Sequence, residues 1–198
     1  MEPFETGSKY DKIATWWQRH HTASSYGESQ LQRTLRFAPK GGLALDVGCG
    51  AGGRLVEVLT QANFAVTGVD VSEKMIQLAR AAHPEHKFIH DDISRWQSAQ
   101  TFDVIVAWDS LFHLPYARQE TVIEKLCHLL SPTGVLMYTF GNAEGEHTDQ
   151  WHDDTFYYSS LGINKNLALL TSNGLSTMHL ELDQYPEKHV YVIASKAS

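Results

Sequence analysis

The chain has 198 residues, the length of one domain, and 42% of them are hydrophobic against 20% that are charged. That balance supports a packed core and excludes a disordered chain. The formal net charge is −7 and lysine and arginine form no run, which argues against a nucleic-acid partner. Two cysteines are too few for a disulfide framework, and neither an apolar leader nor a membrane-length apolar run is present. We therefore expect reduced thiols, a cytoplasmic protein and no membrane partner.

Helix and strand patterns alternate along most of the chain. Two amphipathic segments come first and predict an N-terminal helical cap within residues 1–40. Apolar runs then alternate with helical patterns, which predicts a parallel sheet with helices on both faces. Two last strand patterns, separated by a short Tyr-Pro-Glu turn, predict a hairpin. The predicted helices are 9–18, 26–38, 54–62, 72–83 (with Ser72 as N-cap), 117–130 and 162–174, and the strands are 43–47, 64–70, 87–92, 102–108, 131–141, 175–183 and 188–195.

A glycine-rich stretch, LDVGCGAGGR at residues 45–54, begins in the first predicted strand and continues beyond its end. In an open parallel sheet this position lies at the carboxyl edge, where ligands bind. With Gly48 and Gly50, Gly53 completes G-x-G-x-x-G, the dinucleotide-binding pattern. With the same two residues, Gly52 completes G-x-G-x-G, a pattern of S-adenosylmethionine turns. The turn alone leaves both cofactors open.

Two carboxylates lie near this turn. Asp70 ends the second strand and can accept hydrogen bonds from ribose hydroxyls, which both cofactors carry, so it does not distinguish them. Asp46 precedes Gly48 by two positions and would repel a pyrophosphate while attracting the ammonium and sulfonium of S-adenosylmethionine. The alternative is that Asp46 hydrogen-bonds the amides of its own turn. The charge argument favours S-adenosylmethionine.

The end of the third predicted strand offers an adenine site. A carboxylate at Asp92 can accept from the exocyclic amine of adenine, with Ile93 against the ring. Met75 can also lie against the adenine. The alternatives are that Asp92 belongs to a solvated loop and that Met75 is a core residue of its helix.

Several segments in chain order carry a family resemblance: LDVGCGAGG, VTGVDVS, FIHDDI, FDVIVAWDSLFHL, LLSPTGVLMYTF and the closing hairpin. Over roughly residues 40–195 the chain resembles a class I S-adenosylmethionine-dependent methyltransferase. The resemblance implies one α/β domain with a Rossmann-like, seven-stranded, mostly parallel sheet of order 3-2-1-4-5-7-6, strand 7 being antiparallel. It also implies S-adenosylmethionine as cofactor, with Asp70 on the ribose, Asp92 near the adenine and the first two glycines of the turn near the methionine moiety. The predicted cofactor-binding residues are Asp46, Gly48, Cys49, Gly50, Asp70, Val71, Met75, Asp92, Ile93 and Trp108.

The acceptor is not given by the resemblance, because one core serves many acceptors. Without an appended recognition domain, and with an acidic net charge, the chain is expected to methylate a small molecule. Two other functions stay open: a non-catalytic S-adenosylmethionine-binding module and an NAD-dependent oxidoreductase.

The stretch WDSLFHL, residues 108–114, follows the fourth predicted strand at the ligand edge. Phe112 is expected to form a wall of the acceptor site. Asp109 can orient an acceptor hydroxyl or amine, or it can cap a helix. His113 is the candidate general base, since a neutral imidazole suits proton removal. Its alternative role is to hydrogen-bond the backbone or to seat the cofactor.

An aromatic and histidine-rich connector over residues 141–160 is expected to build the acceptor pocket. Its candidate residues are Trp151, Tyr157 and Tyr158, and the alternative is that they fill space under a long loop. Tyr10, Trp16, His20 and Tyr26 are candidates for a lid over the cofactor, with Tyr26 counted as substrate-binding, whereas Trp17 is expected in the core with Ile13. The scattered histidines predict no required metal.

Overall fold

The dominant feature is a seven-stranded sheet. The computed structural model describes residues 1–21, 24–184, 186 and 188–196, so Tyr185 and Glu187 of the predicted turn lie outside the described residues. Within them the main sheet has the order β3-β2-β1-β4-β5-β9-β8, and β9 alone runs antiparallel to its neighbours, which confirms the predicted order with its antiparallel last strand. The strands are β1 (Gly42–Val47), β2 (Phe64–Asp70), β3 (Lys87–His90), β4 (Phe102–Ala107), β5 (Leu130–Gly141), β6 (Glu144–Trp151), β7 (Asp154–Leu161), β8 (Leu175–Asp183) and β9 (His189–Lys196).

The helices follow the predicted alternation with shifted ends. Ser72 caps α4 as predicted, since its hydroxyl accepts from the Met75 amide at 3.1 Å. No described helix has both the length and the apolar character needed to cross a membrane. The helices are α1 (Pro3–His21), α2 (Glu28–Thr34), α3 (Arg54–Gln61), α4 (Glu73–Ala82), α5 (Tyr116–Leu129) and α6 (Gly162–Ser172), with a 3-10 turn at Leu111–His113.

The sheet separates two apolar layers. Neighbouring strand residues alternate between them, as the two-residue period of a strand requires: Leu45 and Ile105 face one layer, and Ala44 and Val104 face the other. Helices α5 and α6 cover the first layer, and α2, α3 and α4 cover the second. Both faces of the central strands are therefore buried, which explains why they read as continuous apolar runs.

Helix α1 is longer than predicted because it is fastened to the sheet edge along its length. Gly7 lets its backbone lie against that of Val71, where a Cβ would come 2.1 Å from the carbonyl oxygen. Asp11 accepts from the Ser72 hydroxyl at 2.6 Å, and Lys9 donates to the Thr155 carbonyl at 2.6 Å. The first of these bonds ties α1 to α4, and the second ties it to β7.

The segment 141–160 is not a long loop, as one alternative held, because β6 and β7 form a separate antiparallel hairpin there. Seven of the eight β6 residues are exposed, so no alternating apolar pattern marks the strand. The turn is made by His152 and Asp153, both with positive φ, without the glycine that usually signals such a turn. Strand β7 lies against the 3-10 turn and α5, beside the carboxyl edge of the main sheet.

Candidate active site

A cavity of about 560 Å³ opens at the carboxyl ends of β1, β2 and β4, under α1. Its volume is in the range of small-molecule sites. A second cavity of about 60 Å³ adjoins it toward β3 and shares with it Thr6, Gly48, Asp70, Val71, Ser110 and His113. Ten predicted site residues lie on the wall of the larger cavity: Asp46, Gly48, Cys49, Gly50, Asp70, Val71, Met75, Trp108, Asp109 and His113.

The glycine turn faces the open cavity at Gly50 and packs against the loop after β4 at Gly48. Gly50 has φ +53°, and a Cβ there would meet nothing closer than Trp17 Nε1 at 3.8 Å, so the turn is open to the cavity. Gly48 has φ +73°, and a Cβ there would lie 2.3 Å from Cβ of Ser110. These two positions need glycine for the backbone conformation, and Gly48 also needs it for the approach of the β4 loop.

Asp70 is fixed by two backbone amides. Its Oδ2 accepts from Gly50 N and its Oδ1 from Ser72 N, both at 2.8 Å. Burial raises the pKa of this carboxyl, while the two amides oppose the rise. Each oxygen keeps a further acceptor site, so the carboxylate can receive two hydroxyl groups from the cavity.

Asp46 differs from Asp70 in its hydrogen bonding within the part of the chain that the structure describes. Its residue is 4% exposed, and within the described part of the chain no hydrogen bond reaches its carboxylate. The alternative that it bonds the turn amides is therefore wrong. Burial, and secondarily the charge of Asp70, raises the pKa of Asp46 to about 7, while Arg54 opposes this. A buried, unpaired carboxylate facing a cavity is a site for a cation.

Arg54 begins α3 and is the basic counterpart on the wall. Its Nε donates to the carbonyl of Tyr26, and among the described residues no carboxylate lies within ion-pair distance of its guanidinium. Burial lowers the pKa of this group, and the nearby charges of Asp109 and Glu28 oppose the effect. The remaining donors of the guanidinium are available to an anionic group in the cavity.

Two of the three adenine candidates, Asp92 and Ile93, lie at the second cavity. Asp92 is 1% exposed and accepts from the Ser94 amide at 2.8 Å and the Ser94 hydroxyl at 2.7 Å. Its interpretation as part of a solvated loop is therefore wrong. Ile93 lines the same small cavity, and Met75 lines the large one while also packing against Ala14 and Ala51. Contact of these residues with adenine stays a prediction.

His113 is held from both ring nitrogens. Its Nδ1 lies 3.0 Å from the Tyr157 carbonyl, which can only accept, so Nδ1 carries the proton. Its Nε2 therefore accepts from the Tyr10 hydroxyl at 2.9 Å. Burial lowers the pKa of His113 to about 4. The backbone-bonding alternative fits this geometry, because the lone pair that a general base needs is already occupied.

Asp109 lies two residues after the end of β4, and its backbone is in the left-handed region. Its φ is +52°, its amide donates to Thr139 Oγ1 at 2.8 Å, and its side chain caps no helix, so the capping alternative is wrong. Its Oδ1 accepts from His189 Nε2 at 2.8 Å. Sequence reasoning missed His189, which lies 80 positions away and starts β9. No local pattern could have found it, since only the antiparallel pairing of β9 with β5 brings it to this edge.

Aromatic side chains surround the cavity unevenly. Trp108 is 6% exposed and lines it, with Tyr26 behind in an edge contact at 5.2 Å between centroids. Tyr10, Trp17 and His21 of α1 also line it. Trp17 packs partly buried against the small apolar cluster of Ala14, Ala51 and Met75, so its predicted core position is confirmed in part, and it also lines the cavity.

The predicted pocket wall on the hairpin is adjacent to the site without lining the cavity. Tyr157 bonds His113 through its carbonyl, but its hydroxyl accepts from Tyr116 N at 3.1 Å and donates to Glu146 at 2.6 Å. Tyr158 lies against Phe112 and His147, and Trp151 lies against Tyr10, Trp16 and Trp17. Contact of Tyr26, Phe112, Trp151, Tyr157 and Tyr158 with an acceptor stays a prediction.

Comparison with known proteins points to one family. A family model described as "Methyltransferase domain" matches residues 44–134. The trans-aconitate 2-methyltransferase of Escherichia coli O1:K1 / APEC is 40% identical over 92 residues, which are 46% of this chain and 36% of that protein. The ubiquinone biosynthesis O-methyltransferase of Actinobacillus pleuropneumoniae serotype 5b is 32% identical over 150 residues, 66% of this chain and 62% of that protein. The chain thus spans less than two thirds of these relatives.

Solved structures extend the likeness over the whole fold. The magnesium protoporphyrin IX methyltransferase from Synechocystis PCC 6803, solved with bound S-adenosylmethionine, superposes with a TM-score of 0.78 at 18% identity. The match covers 100% of this chain and 98% of that one. The matched domain, the sheet order and the glycine turn together make the chain similar to the class I S-adenosylmethionine-dependent methyltransferases, whose fold it shares.

Proposed function

We propose that the protein binds S-adenosylmethionine and transfers its methyl group to a small organic acceptor. The observation that carries the proposal is Asp46, a buried carboxylate without a hydrogen bond among the described residues, at the wall of a ligand-sized cavity. The amino-acid end of S-adenosylmethionine carries the ammonium that such a group can pair with.

The residues present fit the rest of the molecule. Asp70 would receive the two ribose hydroxyls, and Asp92 with Ile93 would hold the adenine at the second cavity. Arg54 would receive the carboxylate of the amino-acid end. When bound, S-adenosylmethionine supplies a methyl group on a cationic sulfur that a nucleophile attacks in line. The chain's own part is to orient the acceptor and exclude water, for which the α1 cap and the 141–160 segment are placed beside the cavity.

A nicotinamide oxidoreductase fits less well. The carboxyl groups of Asp46 and Asp70 both face the turn where a pyrophosphate would lie, and any negative charge on them would repel it in a buried site. The remaining alternative, a non-catalytic binding module, differs only in the absence of turnover.

Two measurements test the proposal. We expect S-adenosylhomocysteine, and not NAD, to raise the melting temperature of the purified protein. A small-molecule panel assayed for incorporation of labelled methyl then distinguishes an enzyme from a module. A melting temperature that responds to NAD and not to S-adenosylhomocysteine would refute the proposal.

A further inference from the structure

The wall of the large cavity is strongly acidic. Among the described residues its lining carries five carboxylates against one guanidinium, that of Arg54. The carboxylates belong to Glu28, Asp46, Glu57, Asp70 and Asp109. Under the proposed function, Asp70 is taken by the ribose, and Asp46 and Arg54 by the amino-acid end of the methyl donor. Of the three carboxylates that are left, Asp109 is the one next to Trp108 and its aromatic wall.

The Asp109 carboxylate is held in place through one oxygen and can accept a further hydrogen bond through the other. His189 Nε2 at 2.8 Å and Thr139 Oγ1 at 3.4 Å both lie on Oδ1, so the carboxylate keeps acceptor capacity at Oδ2. His189 is largely buried, and its Nδ1 has no hydrogen-bond partner in the described part of the chain. The shortest contact of the imidazole is the one to Asp109, since Nε2 lies 3.3 Å from the Tyr26 hydroxyl and Nδ1 lies 3.7 Å from Asp183 Oδ2, within ion-pair distance.

From this arrangement we propose that Asp109 receives an amine as the methyl acceptor, and that His189 is the positioning residue that holds Asp109 for it. The inference rests on the proposed function and names its acceptor class. A carboxylate acceptor would instead meet an unneutralised negative charge at Asp109, because the one guanidinium of the lining is occupied.

The transfer itself favours a carboxylate beside a nitrogen. The lone pair of the neutral amine forms the new N–C bond, and the electrons of the C–S bond pass to sulfur, which becomes a neutral thioether. The positive charge moves from sulfur to nitrogen, and the N–H protons stay on the ammonium product until it reaches water. Asp109 stabilises that developing charge without accepting a proton. An alkylammonium first releases a proton to water to give the neutral amine. The transfer that follows needs no base, so the occupied lone pair of His113 is no obstacle to it.

Binding of matched probes tests the acceptor class. Benzylamine, benzyl alcohol and benzoate share one ring and differ in the polar group, and each is titrated by calorimetry into the protein saturated with S-adenosylhomocysteine. We expect benzylamine to bind at least about tenfold more tightly than benzoate, with benzyl alcohol between them. Asp109→Asn should weaken benzylamine about tenfold and leave S-adenosylhomocysteine within about twofold. Glu120→Gln, an exposed carboxylate of α5 that lines neither cavity, is the control and should change neither affinity.

The role of His189 is tested by rescue. His189→Leu removes the donor and should weaken benzylamine about fivefold, whereas His189→Gln keeps an N–H for Oδ1 and should restore it to within about twofold. His179→Leu, a histidine on the neighbouring strand outside the cavity lining, is the control. The melting temperature of each ligand-free variant identifies any loss of folding.

The outcomes separate this inference from the proposed function. If S-adenosylhomocysteine binds and benzoate equals or exceeds benzylamine, or benzylamine does not bind at millimolar concentration, the amine assignment is overturned. If Asp109→Asn leaves benzylamine unchanged, the assignment of Asp109 is overturned. If glutamine fails to restore what leucine loses, His189 is not a positioning residue. If S-adenosylhomocysteine itself does not bind, the proposed function fails instead.

Discussion

Replacing Asp46 by asparagine should stabilise the ligand-free protein most at alkaline pH. Burial raises the pKa of Asp46 from 3.8 to about 7. Between these two values the folded chain holds a proton that the unfolded chain has released. The free energy of unfolding therefore falls as the pH rises through this interval and stays low above it. Asparagine has nearly the same shape and no charge to bury, so it escapes this loss.

The size of the effect follows from the interval. From 3.8 to about 7 the wild-type chain loses about 4 kcal/mol at 1.36 kcal/mol per pH unit, and only about a third of that loss is complete at pH 5. Water in the cavity reduces the loss, and an unsatisfied asparagine amide costs about 1 kcal/mol at every pH. The advantage of Asp46→Asn over the wild type should therefore grow by about 1 to 3 kcal/mol between pH 5 and pH 8.

Urea unfolding of both proteins without ligand, at the two pH values, measures this difference. Asp149→Asn removes an exposed carboxylate of β6 and should show no such growth. The same Asp46 variant should bind S-adenosylhomocysteine at least about tenfold more weakly, since the ammonium loses its partner. A gap between wild type and Asp46→Asn that is equal at both pH values, or that favours the wild type more at pH 8, would refute the reasoning.

Further predictions concern the other residues of the site. Asp70→Ala should weaken S-adenosylhomocysteine by about 2 kcal/mol or more in calorimetry, because two hydrogen bonds to a charge are lost, and an unchanged affinity would remove Asp70 from the ribose site. Gly50→Val should weaken the same ligand as much, since its side chain would enter the cavity and strain the backbone at φ +53°; the melting temperature of the ligand-free variant identifies loss of folding, and unchanged binding would contradict an open turn. Turnover of the wild type and of His113→Gln should show the same pH dependence above about pH 5, because burial holds the pKa of His113 at about 4; an inflection present only in the wild type would restore the base assignment.

The sequence carried the information on the sheet and little on the partners of its side chains. Buried strands such as β1 and β4 are continuous apolar runs, and the position of Asp70 at the end of β2 follows from the parallel topology. The hairpin of β6 and β7 was missed because its first strand is exposed and its turn has no glycine. The contact of Tyr10 with His113 joins residues 103 positions apart, and only packing of α1 decides it. Which hydrogen bonds a side chain makes, and whether it carries a proton, therefore depends on the folded structure and could not be predicted from local sequence.

Helix α1 contacts both the cavity proposed for the methyl donor and the hairpin proposed for the acceptor. Tyr10 lines the cavity and bonds His113, while Lys9, one position earlier, bonds the carbonyl of Thr155 on the hairpin. A ligand that tightens one of these contacts restrains the helix for the other, and coupling between two binding sites is reciprocal. Substitutions on the hairpin that are selected for a new acceptor will therefore also change the affinity for the methyl donor. Engineering of acceptor choice in this protein has to follow both affinities together.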